Sequence, residues 1–233
     1  MTEPSYKTAL IVGVGSGLSA SLARLFAKHG LKVALAARRA DNLKALAQET
    51  GAKSFACDST KHDQVVKLFA DVEAALGAPD VVIYNASYRT RGPLVDLVPD
   101  EVAQSIAVSA FGGFLVAQEA VKRMLPRHRG AIIFTGASAS VKGYAQSAPF
   151  AMGKFALRGL AQSMARELQP QGIHVAHVVV DGGIKSERRP DPPDKPDSML
   201  DPDVIAQSYW DLLQQHRSAW AWEIELRPWL EKF

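Results

Sequence analysis

Two short runs in this chain have residue types and spacing suited to holding a phosphorylated ligand. The first is Gly13-Val14-Gly15-Ser16-Gly17. Glycines there let the backbone approach an anion closely, and a helix opening on the turn aims free N–H groups and its positive dipole end at the same point. The second is Ala37-Arg38-Arg39, roughly 20 residues past the glycines, where a dinucleotide site meets the adenosine ribose. A carboxylate at that position selects NAD. Ala37 supplies none, and two guanidinium groups can grip a 2′-phosphate bidentately. The chemistry these runs suit is binding of NADP(H), with NAD(H) the poorer match. Packing glycines in a tight connection, and arginines merely solvated at a strand end, would leave the same pattern, so the flanking elements decide.

Those elements read as strand, turn, helix. Ala9-Leu10-Ile11-Val12 is a buried strand, and Leu18, Leu22, Leu25 and Phe26 follow at the spacing of one helix face. Gly30 stops that helix. Further strands are expected at 32–37, 53–57, 80–84, 131–134, 173–180 and 221–226, with helices between them, including long ones at 100–125 and 149–168. Asp58-Ser59-Thr60 is a polar turn able to cap the helix after it. Continuous apolar strands alternating with helices argue a parallel sheet covered on both faces. The expected fold is α/β: one Rossmann-type, doubly wound sheet of about seven strands in a single domain over 1–233. The Pro-rich stretch 190–196 is too short to separate domains. It falls in a loop, 186–200, expected to lie on the substrate side at the strands' carboxyl ends, either as a lid or as an inert connection.

Composition narrows the classes. The 233 residues are 47% hydrophobic and 22% charged, with a net charge of +3 and a pI near 9.0. Such a small basic excess implies no nucleic acid. A lone cysteine, Cys57, excludes an internal disulfide and fits a reducing compartment. No apolar run suits a membrane span, and Glu3 and Pro4 lead into the first strand without a secretory pattern. A cytoplasmic location and a small-molecule substrate are expected. His174 and His177, the nearest histidine pair, sit an odd step apart on a strand, so no metal site is expected. Trp210, Trp220, Trp222 and Trp229 are read as core or interface packing ahead of lining an apolar substrate pocket, and Arg188, Arg189 and Lys195 as a solvated charge run ahead of contacts to an anionic substrate.

In its order of motifs the chain resembles the short-chain dehydrogenase/reductase family over nearly its whole length. The resemblance rests on Gly13-x-x-x-Gly17, the Asp58 turn, Asn85-Ala86, Thr135-Gly136-Ala137-Ser138, Lys154 and Asp181-Gly182-Gly183-Ile184. It implies a cofactor set of Gly13, Gly15, Ser16, Gly17, Leu18, Arg38, Arg39, Asp58, Asn85, Ala86, Lys154, Gly182 and Ile184. Within that set it implies that Asp58 meets adenine, that Asn85 and Ala86 flank the adenosine ribose, and that Lys154 holds the nicotinamide ribose. It also implies a homodimer or homotetramer.

The departures bear on catalysis. The family's helix carries Tyr-x-x-x-Lys, and here it reads Phe150-Ala151-Met152-Gly153-Lys154. That spacing puts both side chains on one helix face, where the ammonium lowers the phenol pKa and helps it exchange a proton with substrate. A phenyl ring has no proton to give. The family's catalytic Ser aligns with Ala137, next to Ser138, its Asn with Ser109, and its third turn glycine with Ser19. One reading is an oxidoreductase acting on an activated C=C or C=O group, its proton supplied by Ser138, Ser140, Tyr144, Ser147 or a water near Lys154. The expected catalytic set is then Lys154, Ser138 and Tyr144. The divergent enoyl-reductase branch, with Ser in place of the third glycine, and dienoyl-CoA reductases without the tyrosine are similar cases. The other reading is a catalytically inactive NADP(H)-binding sensor or subunit.

Overall fold

The computed structural model describes residues 6–186 and 189–231, so Glu3, Pro4 and Arg188 lie outside the described residues. Seven strands, β1 (Thr8–Val12), β2 (Lys32–Ala37), β3 (Lys53–Ala56), β4 (Val81–Tyr84), β5 (Gly130–Thr135), β6 (Ile173–Val180) and β7 (Glu223–Leu226), form one sheet in the order β3-β2-β1-β4-β5-β6-β7. Every neighbouring pair is parallel. Helices α1 (Leu18–Lys28), α2 (Lys44–Thr50), α3 (His62–Leu76), α4 (Pro99–Ile106), α5 (Gly112–Met124), α6 (Ala148–Leu168) and α7 (Pro202–Gln214) cover it.

Strand alternation divides the core in two. Leu10, Val12, Val82, Tyr84, Ile132 and Phe134 pack with Val65, Phe69, Leu115 and Leu157 of α3, α5 and α6. Ala9, Ile11, Val33, Leu35, Val81 and Ile83 pack with Leu22 and Phe26 of α1 and Ile205 and Tyr209 of α7. Both strand faces are therefore apolar, which is why the strands read as unbroken hydrophobic runs. The chain winds from β1 out to β3, then returns to β4 on the other side of β1. Connections after β1 and β4 leave in opposite directions, and a crevice opens at their carboxyl ends.

Several expectations change in detail. The region expected as one helix over 100–125 is two helices joined by a π segment, Ala107–Phe111. Its widened turn lets the Val108 carbonyl accept a 2.5 Å hydrogen bond from the buried Tyr84 hydroxyl. Asp58 does not cap α3. Its Oδ1 accepts from Thr60 N at 3.0 Å and Thr60 Oγ1 at 2.8 Å, closing the turn on itself. β7 begins at Glu223, and β3 ends at Ala56. Three tryptophans pack as expected: Trp210 stacks on His29 at 3.9 Å, Trp220 on His174 at 4.8 Å, and Trp222 lies 5.6 Å from Arg158. Trp229 is 74% exposed, so it is not core. Among the described residues no helix is long and apolar enough to cross a membrane.

Candidate functional site

The turn after β1 is shaped by close approach. Gly13 has φ +88°, and a Cβ there would lie 2.3 Å from the Ala86 backbone nitrogen, so glycine is required at that crossing. A Cβ on Gly15 or Gly17 would meet nothing within 4 Å. The turn is thus tight beneath and open above, a cradle with room for a phosphate at the start of α1. Ser16 is exposed on the turn. Ser19 ties the cradle down: its buried hydroxyl donates to the Gly13 carbonyl at 3.2 Å and accepts from Asn85 Nδ2 at 2.7 Å. A glycine could make neither bond.

Three clefts run along this edge of the sheet. The first, about 360 Å³, is lined by Gly13, Gly15, Arg38, Arg39, Asp58, Asn85 and Ala86 among others. Both arginines are exposed at its mouth. Burial opposes ionisation of Asp58, but the two Thr60 hydrogen bonds, with Lys61 and Arg38, hold its carboxyl below the usual range. A shallow connecting cleft carries Gly13, Gly15, Gly17, Leu18, Ser19, Asn85 and Ile184. The third, about 430 Å³, is lined by Ser138, Tyr144, Phe150, Lys154, Gly182, Ile184 and Asn85, with Arg89, Arg91 and Arg189. Asn85 touches all three. Apart from Ser16, every expected cofactor or catalytic residue lines at least one of these clefts.

Lys154 dominates the third cleft. It is 3% exposed, and its Nζ donates to the Thr135 carbonyl at 2.7 Å. Burial lowers its pKa to about 8. One of three N–H groups is used, leaving two for a ligand. Phe150 lies one helical turn earlier, with Lys154 Nζ 5.7 Å and Arg89 Cζ 4.8 Å from its ring centroid. The candidate proton donors separate sharply. Ser138 and Tyr144 line the cleft, Tyr144 half-exposed. Ser140 and Ser147 are buried, and Ser140 Oγ accepts from Ala137 N at 3.1 Å. The Ser138 hydroxyl sits beside Asp181, whose carboxylate Lys142 and Arg227 pair at 3.0 and 2.7 Å. Ser109 is fully buried in the π segment, where a Cβ on Gly153 would come within 2.7 Å of its own Cβ.

Residues 7–194 match the short chain dehydrogenase family. The chain belongs to that family. It is 28% identical over 234 aligned positions to an uncharacterized oxidoreductase of Staphylococcus aureus (strain N315), covering 98% of this chain and 100% of that one. The crystal structure of a short-chain dehydrogenase from Rhodopseudomonas palustris superposes with a TM-score of 0.82 at 33% identity, over 96% of this chain and 99% of that one. A metagenomic short-chain oxidoreductase in complex with NADP gives 0.84 at 28% identity, over 97% and 98%.

Behind Lys154 this short-chain dehydrogenase carries a partly buried network that sequence reasoning missed, because its members come from three separate elements. Glu223 of β7 takes a bidentate pair from Arg158 at 2.6 and 2.7 Å and a 3.0 Å hydrogen bond from His177 Nδ1. The imidazole is why residue 136 is glycine: a Cβ there would lie 2.4 Å from His177 Nε2. Burial pushes the His177 pKa down to about 4, against the pull of Glu223. Between the ordinary value of 6.5 and 4, the unfolded chain protonates this histidine and the folded chain does not. Stability therefore falls as pH drops through that window. Burial works against the Glu223 charge, but Arg158 holds its carboxyl below the usual range, so its contribution is lost only at lower pH. Urea unfolding should show the natural chain losing about 2–3 kcal/mol more than His177→Asn between pH 7 and 4.5. Equal losses would contradict this account.

Proposed function

We propose that this protein is an NADP(H)-dependent oxidoreductase of the short-chain dehydrogenase type that acts on an activated C=C or C=O group. The observation that carries the reading is the continuity of the crevice, from exposed Arg38 and Arg39, past the open cradle of Gly15 and Gly17, to buried Lys154. In this reading Gly13, Gly15, Ser16, Gly17 and Leu18 hold the pyrophosphate, with Ser19 and Asn85 fixing the turn. Asp58, Asn85 and Ala86 flank the adenosine, and Arg38 and Arg39 bind the 2′-phosphate. Lys154 offers its two spare N–H groups to the nicotinamide ribose hydroxyls, and Gly182 and Ile184 border the nicotinamide. A cofactor held in this way would supply hydride transfer to or from the substrate.

Phe150 then stands where the family has its tyrosine, and its ring has no proton to exchange. A plain ketone gathers full charge on oxygen as hydride arrives and needs an adjacent acid. A conjugated carbonyl spreads that charge, and Ser138, Tyr144 or water can meet it. The 186–200 loop is the substrate-side element, supported by Arg189 at the cleft wall.

Nicotinamide fluorescence titrations test the cofactor assignment. NADPH should bind more tightly than NADH, and the preference should weaken as salt rises because the arginines are exposed. Arg38→Ala should remove about 1.5–3 kcal/mol of NADPH binding, as expected for one charge-assisted contact, and leave NADH unchanged. Equal affinities at low salt, or an unchanged preference in the variant, would overturn the assignment. NADPH binding with no turnover of any activated substrate would favour the sensor or subunit reading.

A further inference from the structure

The third cleft carries more positive charge than hydride chemistry needs. Arg89 and Arg91 reach it from the segment after β4, and Arg189 from the segment after β6. These positions are separated by about a hundred residues of sequence, so no charge run brings them together. Lys154 is a fourth cation in the lining, and among the described residues Glu231 is its one carboxylate. Among the described residues none of the three arginines has an ion-pair partner.

Two of the guanidinium groups are nevertheless packed against the fold. Arg89 lies over the Phe150 face at 4.8 Å. Arg189 packs against Gly183, where a Cβ would come within 2.9 Å of its Cζ, so the glycine makes room for the guanidinium. Partial burial disfavours the Arg89 charge, and the charges of Arg91 and Arg189 disfavour it further, which puts all three within electrostatic reach. Like charges gathered in a partly desolvated cleft repel one another unless an anion joins them. Guanidinium is the group best suited to hold one bidentately. Arg189, though exposed, therefore stands at the cleft wall with Arg89 and Arg91.

We propose that the substrate carries an acidic group, carboxylate or phosphate, gripped by Arg89, Arg91 and Arg189, which places its reducible carbon beside Lys154 and Phe150. This rests on the reading that the Lys154 cleft is the substrate side. The acid also favours the activated substrates argued above, because an acid on a conjugated chain fixes the distance from the arginines to the reacting carbon. Glu231 bears the opposite charge and would exclude acids lacking the right reach.

Calorimetric titration of the NADP-saturated protein tests this with crotonate against neutral methyl crotonate, and with phenyl phosphate against neutral phenol. At least one anion should bind about tenfold or more tightly than its neutral counterpart, with affinity falling as salt rises. The two arms tell carboxylate from phosphate. Arg91→Gln combined with Arg189→Gln should abolish that preference while NADPH affinity stays unchanged and thermal melting does not fall, since both side chains are exposed and their mutual repulsion is relieved. Anions binding no better than neutral probes would overturn the proposal. So would a loss of NADPH affinity in the double variant, which would give the arginines to the cofactor. If the natural chain fails to bind NADPH, the cofactor reading falls, and the same titrations on the free protein still decide the arginine cluster.

Discussion

Phe150→Tyr should raise the reduction of an unactivated ketone by about 10²–10⁴-fold, the usual worth of a positioned general acid. The Phe150 ring already lies between two cations, with Lys154 Nζ 5.7 Å and Arg89 Cζ 4.8 Å from its centroid. A phenol there would have a lowered pKa and could pass its proton to a substrate oxygen in the same cleft. Ser138 is the second hydroxyl lining that cleft, whereas Ser140 is fully buried. Phe150→Leu serves as the control: it alters packing without adding a proton and should leave the ketone rate at background. Initial rates of NADPH oxidation with cyclohexanone compare the three proteins. No gain in the tyrosine variant, with NADPH still bound, would mean that substrate oxygen does not approach residue 150.

Lys154→Met should separate what the lysine does for function from what it does to stability. The ammonium is buried with one carbonyl partner, and its pKa falls from 10.5 to about 8. A base with a depressed folded-state pKa binds fewer protons folded than unfolded between those values, so folding becomes more favourable as pH rises through them. The natural chain should gain on the order of 3 kcal/mol relative to Lys154→Met between pH 8 and 10.5. Comparing the two proteins cancels the other titrating groups. Methionine matches the stem in length and flexibility, so packing changes little. Turnover should be lost in the variant at every pH. Parallel stability curves would show that the ammonium is not desolvated in the fold.

Much of this architecture is legible in the sequence because its determinants are local. The apolar run 9–12, the open glycines and the Leu18, Leu22, Phe26 stripe give β1, the cradle and α1 directly. Unbroken apolar strands alternating with amphipathic helices give the parallel sheet. What escapes is what depends on contacts between distant segments. The π segment at Ala107–Phe111 inserts no break in the apolar spacing, and its anchor, the Tyr84 hydroxyl, comes from another strand. Ser19 looks like a missing glycine until Asn85 is seen to donate to it. The Arg158, Glu223 and His177 network, and the meeting of Arg89, Arg91 and Arg189, likewise exist only once the sheet brings their elements together. Asp58 reads equally well as a helix cap or a closed turn, and only the Thr60 hydrogen bonds decide.

The most direct test of the central claim loads the natural protein with NADPH and follows nicotinamide absorbance after mixing with two substrates in parallel. One is an α,β-unsaturated thioester or enone, the other an unactivated ketone such as cyclohexanone. The account predicts that the conjugated substrate oxidises the bound NADPH while the ketone leaves it at the background rate. Rapid oxidation by the ketone would contradict it, because another group would then be supplying the proton that Phe150 cannot.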